Sequence, residues 1–271
     1  MVGVFWERCG TDRCERYPSV PPHLFRNRTS ATAFFLTFTS SILLQTLSYF
    51  LPVYFQAVKR TTVLESGTLF LPFAFGSLVF AVVAGALLSK YGKYRILHAI
   101  AFALSSIAFG LFTLLGPKTT KAAYVSFELI ASFGMGMVMS VLLPAVMAPL
   151  PEKYVASASA TYSFVRTFGY IWGVIVPGLI FNSVFDHELH TISDASVRAQ
   201  LGGGAAYAFA GRAHIDGDLY SSEVWEEITS VYVKVSIPYG TSAWVLASSV
   251  SLRLRWSAVS SSDRSWRQIM D

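Results

Sequence analysis

Residues 85–97 read GALLSKYGKYRIL, two glycines and three cations packed into a connector between long apolar runs. A glycine at 85 would let one helix backbone approach a neighbour closely. A glycine at 92 permits the positive φ of a tight turn. Lys90, Lys93 and Arg95 would hold the turn on the cytoplasmic side and can bond the last carbonyls of a helix. The stretch therefore reads as a cytoplasmic hairpin between two membrane helices.

Composition agrees. The chain has 271 residues, of which 53% are hydrophobic and 14% charged, whereas soluble domains carry about 25% charged residues. A net charge of +5 does not point to nucleic acid, because the cations sit in connectors and tails rather than along one helical face. Basic connectors between apolar runs are the positive-inside pattern.

A helix needs about 20 apolar residues to cross a bilayer. Five runs qualify: Ala31–Val58, Gly67–Leu88, Ile96–Leu115, Tyr124–Leu150 and Ala158–Phe185. The fold class is all-α, a polytopic helical membrane protein with five clear spans and one marginal span at Ile237–Leu252, which is short, serine-rich and opens with Pro238 and Gly240. The expected organisation is a cytoplasmic leader over 1–30, a five-helix region over 31–185, an extracytoplasmic loop over 186–231 and a divergent tail over 232–271. Arg8, Arg13, Arg16, Arg26 and Arg28 place the leader inside. No apolar signal segment precedes the charges of the leader. Cys9 and Cys14 stand without a second ligand pair, so no metal site is expected and they read as free thiols. His187 and His190 flank Glu188 in HELH, without the i, i+4 spacing of a helical metal site. No catalytic constellation, phosphate loop or cofactor motif is present in the sequence.

Spacing then carries a resemblance. Gly85, Leu87, Lys90, Gly92, Lys93 and Leu97 fall where the hairpin signature of the major facilitator superfamily has Gly, Leu, Arg, Gly, Arg and Leu. Ser89 replaces the acid of that signature, and Arg95 falls one place after its second basic residue. With LFRNRTS, YFLPVYFQAV, ESGTLFLPFAFGS, LLPAVMAPLPE and RTFGYIWGVIVPGLIFN, the chain resembles fungal 14-span drug:proton antiporters over His23–Asn182, and more weakly near VRAQLGGGAAYA. The resemblance is to the C-terminal half. It implies half of a major facilitator fold, a missing N-terminal half as partner, and a fragment or truncated gene model. It implies proton-coupled efflux of small hydrophobic molecules, drugs or toxins by alternating access, in the plasma membrane, with the lipid bilayer, protons and the substrate as partners. The alternative is a non-transporting remnant or a helix that pairs with another transporter.

The resemblance also makes the first and fourth runs cavity-lining. On the first, Ser41, Gln45 and Ser48 share a face and Tyr49 follows Gln45 by four. Such a polar stripe contacts either substrate or a partner helix. Glu128 is the acid lying well inside an apolar run, and its two readings are a proton carrier and a side chain snorkelling to the outer interface. Arg166 reads as snorkelling or phosphate contact at the inner end of the fifth run. Gly134, Gly136, Gly169, Gly173 and Gly178 read as helix-packing positions, with Pro177 as a kink that would serve rocking motion or plain packing.

Overall fold

The computed structural model describes residues 23–26, 28–92, 94–148, 150–216 and 220–235. Five long helices follow one another: α1 (Arg28–Lys59), α2 (Leu71–Tyr91), α3 (Tyr94–Phe112), α4 (Lys121–Met147) and α5 (Val155–Glu188). Among the described residues four helical segments are long and apolar enough to cross a membrane. The apolar part of α3, from Ile96 to Phe112, is shorter than these. The leader boundary expected at residue 30 falls inside α1.

Local chemistry sets the boundaries. Thr62 caps the short helix Val63–Leu69, accepting from the Glu65 amide while the Glu65 carboxylate accepts from the Thr62 amide. The second apolar run therefore divides at Phe70, and Pro72 opens α2 where a missing amide proton costs nothing. Gly92 ends α2 with φ +65, and its amide donates to the Leu88 carbonyl. Thr120 caps α4 through the Ala123 amide.

The helices pack around two centres. α4 lies against α2, α3 and α1, while α1 lies against α5 and α4. Two apolar clusters fill the bundle. One gathers Phe34, Phe102, Leu142, Val146 and Tyr162 at the end that holds the 85–97 hairpin. The other gathers Leu47, Tyr54, Phe55, Phe112 and Phe185 at the opposite end.

The segment expected to be a loop over 186–231 is largely helical. Helices Ala195–Leu201, Ala206–Ala210, Ala213–Asp216 and 222–235 form a cap on the second cluster. Their apolar residues recur at helical spacing: Trp225, Ile228, Tyr232 and Val235 face inward together. The last of these helices runs through the boundary expected between 231 and 232. Tyr232 packs on Phe185 at a ring distance of 4.9 Å, and Arg60 lies 4.4 Å over Trp225. The expected marginal sixth span lies outside the described residues.

Candidate functional site

A cavity opens between α1, α4 and α5, near the junction of the two apolar clusters. Thr37, Ser40 and Ser41 line it from α1, Met135 and Met139 from α4, and Tyr162, Arg166 and Tyr170 from α5. The cleft is narrow, with room for little more than a water molecule between these walls. Thr37 donates to the Ala33 carbonyl, and Ser40 and Ser41 to the Thr37 carbonyl, each bonding back into its own helix.

Of the stripe expected to contact substrate or a partner helix, Ser41 alone lines the cavity. Gln45 faces α5, where its Cβ crowds Gly173. Ser48 donates to the Leu44 carbonyl of its own helix, and Tyr49 is exposed. The reason is geometric. Each four-residue step turns a helix by about 40° past a full turn, so the line from Ser41 through Gln45 to Tyr49 rotates off the cavity. Sequence spacing placed all of these on one wall, read Arg166 as snorkelling or phosphate contact, and missed Tyr162 and Tyr170, which lie on the fifth run rather than the first or fourth.

Glu128 does not snorkel. It is fully buried, two turns into α4, and neither carboxyl oxygen makes a hydrogen bond among the described residues. The backbone of Phe73, in the first turn of α2, and the Tyr124 side chain are its polar neighbours. An ionisable group held this way inside a bundle is costly unless it changes charge or meets a partner.

The glycines divide by what stands over them. A Cβ at Gly173 would lie 2.7 Å from the Ile42 carbonyl oxygen and from Gln45 Cβ, and one at Gly169 would lie 2.8 Å from the Phe38 carbonyl oxygen. Both glycines therefore seat α5 directly on the backbone of α1. A Cβ at Gly134 would lie 2.8 Å from the Ala101 carbonyl oxygen on α3, and one at Gly136 would strike the Ser77 carbonyl oxygen on α2. Two residues span about 200° of helix, so this pair serves opposite faces of α4. Gly85 and Gly178 have open space over them among the described residues, with no atom within 4 Å of a built Cβ. Among the described residues the close approach expected at both is absent.

Pro177 sits buried inside α5 and has no amide proton for the Gly173 carbonyl. Thr46 of α1 donates its hydroxyl to that carbonyl at 3.3 Å. Gly76, Ser132 and Ser140 complete the small-residue seam between α2 and α4. Ser132 Oγ lies over Gly76, and Ser140 donates to the Ala81 carbonyl at 2.7 Å. The spacing Ser132, Gly136, Ser140 carried that seam in the sequence.

In the hairpin, Lys90 lies 5.5 Å over the Tyr91 ring. Lys93 lies outside the described residues, as does the side chain of Arg95. At the other end Lys59 donates to the Pro117 and Thr119 carbonyls, both at 2.7 Å. No group of three or more potential metal ligands gathers among the described residues. His190 Nδ1 lies 2.7 Å from the His187 carbonyl oxygen, and Glu188 pairs with Lys234.

Comparison with known proteins places this geometry. The chain is similar to the MFS-type efflux pump LUC4 of Fusarium sp, 41% identical over 246 residues, which cover 88% of this chain and 44% of that protein. It is 40% identical to the efflux pump FUS6 of Gibberella fujikuroi over 219 residues, 81% of this chain and 40% of the relative. The MFS efflux transporter aclA of Aspergillus oryzae is 42% identical over 194 residues, 72% and 35% of the two chains. The chain thus spans less than half the length of these curated relatives. These proteins are transporters and not enzymes, and apolar helices of this length make the chain an integral membrane protein. Residues 13–174 match the profile of the Major Facilitator Superfamily, and the chain belongs to that family.

Proposed function

We propose that the chain acts as the C-terminal half of a proton-coupled exporter of small hydrophobic molecules, working by alternating access in the plasma membrane. Its partner in this reading is an N-terminal half, and the 85–97 hairpin lies on the cytoplasmic side. The fungal relatives named as efflux pumps support export. The observation that carries proton coupling is Glu128, buried with both oxygens unpaired among the described residues. Charge on such a carboxyl is tolerated when water or a partner reaches it and disfavoured when the helices close over it. Protonation of Glu128 is thereby linked to which arrangement the helices adopt, and that linkage is what coupling requires.

The test is export of a lipophilic dye from sealed vesicles under an imposed pH gradient, with the chain reconstituted beside an N-terminal half. Glu128→Gln is nearly isosteric and cannot titrate. It is expected to abolish pH-driven export while leaving folding and dye binding unchanged. Export at the parent rate would remove Glu128 from the coupling mechanism. Absence of export by the unmodified pair would instead favour a non-transporting role in helix pairing.

A further inference from the structure

Arg166 is the one feature of the cavity that the export of neutral apolar molecules leaves unexplained. It lies about 16 Å along α5 from Val155, by the helical rise per residue. A snorkelling arginine at this end would reach back toward the N-terminus of α5. Instead Nε donates to the Tyr170 hydroxyl at 2.7 Å, one turn deeper into the bundle. The guanidinium lies 5.6 Å from the Tyr170 ring centroid and also donates toward the Tyr162 hydroxyl. One of its terminal nitrogens meets only the Met139 sulfur, at 3.9 Å, a weak acceptor. No carboxylate pairs with it among the described residues. Tyr170 accepts from Arg166, so its own proton is left to donate. The result is a cation with unused donors, and a phenol donor beside it, in a cavity lined also by Met135, Val138, Leu142 and Leu44 and by the hydroxyl-bearing Thr37, Ser40 and Ser41.

We propose that Arg166 is the anion-recognising residue of this cavity, selecting cargo that carries a carboxylate or similar acid on an apolar body. The inference rests on the export reading above and names the chemical class of its substrate. A carboxylate would take paired N–H donors from the guanidinium fork, charge-assisted and short, and a third hydrogen bond from Tyr170. The methionines and aliphatic side chains would hold the apolar body. Desolvation makes such a contact selective, since a neutral analogue leaves the guanidinium unpaired.

The test uses the purified chain in phosphatidylcholine nanodiscs and compares 2-naphthoate with 2-naphthamide by calorimetry. The acid is expected to bind about tenfold or more tightly than the amide. R166Q should remove that preference, chiefly by weakening binding of the acid. R166K should keep part of it, because an ammonium offers a point charge without the fork. Equal binding of acid and amide to the unmodified chain overturns the proposal, and that comparison depends on no variant folding. Retention of the preference in R166Q overturns it as well. Replacing about a quarter of the lipid with phosphatidylglycerol distinguishes the source of the anion. No change supports a cargo site, whereas loss of the preference means that a lipid headgroup occupies the cation and overturns the cargo assignment. Preference without dye export in the vesicle assay would refute export and leave the anion subsite standing. Dye export without preference would refute the subsite alone.

Discussion

The bundle and its outer cap are held together by different chemistry. In the bundle, the segment Val63–Tyr91 that contains α2 is more apolar than Ser30–Lys59 of α1, yet 11% of its most apolar stretch is buried against 61%. Phe75, Leu78, Val79 and Val82 point outward, while Gly76 and Ser77 face α4. In the cap the order is the familiar one: Trp225, Ile228, Val231 and Tyr232 go inside, and Glu223 and Glu226 stay out. Lipid is as apolar as leucine, so it offers no hydrophobic reason to bury leucine against a neighbour. What is gained inside a membrane is close backbone contact and satisfied polar groups. In water the gain is apolar area removed from solvent. One chain shows both rules, divided near residue 188.

The largest break in the bundle rule is expected at Gly173. Gly173→Leu would force a branched side chain against the Ile42 carbonyl and Gln45. Overpacking at a site this close costs about 3 kcal/mol. Thermal unfolding in detergent should show a marked loss of stability and separation of α5 from α1. Gly178→Leu and Gly85→Leu have open space over them and should change stability by no more than about 0.5 kcal/mol. Equal effects at 173 and 178 would show that glycine content, rather than close contact, sets the stability of α5.

A smaller effect tests the polar half of the same rule. Pro177 leaves the Gly173 carbonyl without its helical donor, and Thr46 replaces it. Thr46→Val keeps the shape and removes the donor. The expected loss is about 1 kcal/mol, the scale of interhelical hydrogen bonds in membranes. Restoring the helical amide with Pro177→Ala in the same chain should recover most of it. Failure of the second change to compensate for the first would mean that Thr46 acts through its other contacts.

These two positions also show what the sequence could and could not convey. The succession of apolar helices and the turn at Gly92 were legible, because run length and a glycine after the last apolar turn are local signals, although the apolar part of α3 is shorter than the run suggested. Gly85 and Gly136 looked alike in sequence. Only the direction each faces separates them, and direction depends on where the partner helix lies. The pairing of Pro177 with Thr46 joins residues more than a hundred positions apart, so no local pattern could state it. The cap was legible in principle from the spacing of Trp225, Ile228, Tyr232 and Val235. Glu223 and Glu226 lie on the exposed face of the same helix. Arg166 was visible as a cation in an apolar run, but its role depended on Tyr170 being one turn deeper and on no acid reaching it.

The smallest expected effect sharpens the contrast from the cap. Glu227 accepts from the Ser193 hydroxyl at 2.6 Å and from the Ser193 amide at 2.7 Å, which ties helix 222–235 to the turn before Ala195. These hydrogen bonds hold its carboxyl below the usual carboxylate range. Asp194, capping that turn, is lowered in the same way by the Ser196 hydroxyl and amide. For a depressed acid the stabilisation is fully present above the unfolded value, about 4.3 for Glu and 3.9 for Asp. It is lost as pH falls from there through the lower folded value. Amide exchange over 222–235, corrected for the intrinsic pH dependence, should therefore rise below about pH 4. Exchange in α1 and α4 should not follow it, because the close contacts that join those helices do not titrate. Both carboxylates are exposed, so the shift should be slight and should shrink with added salt. Glu227→Gln still accepts from Ser193 and cannot titrate, so most of the pH response should disappear. Parallel acid opening of cap and bundle would show that the two regions unfold as one unit and would remove the division between them.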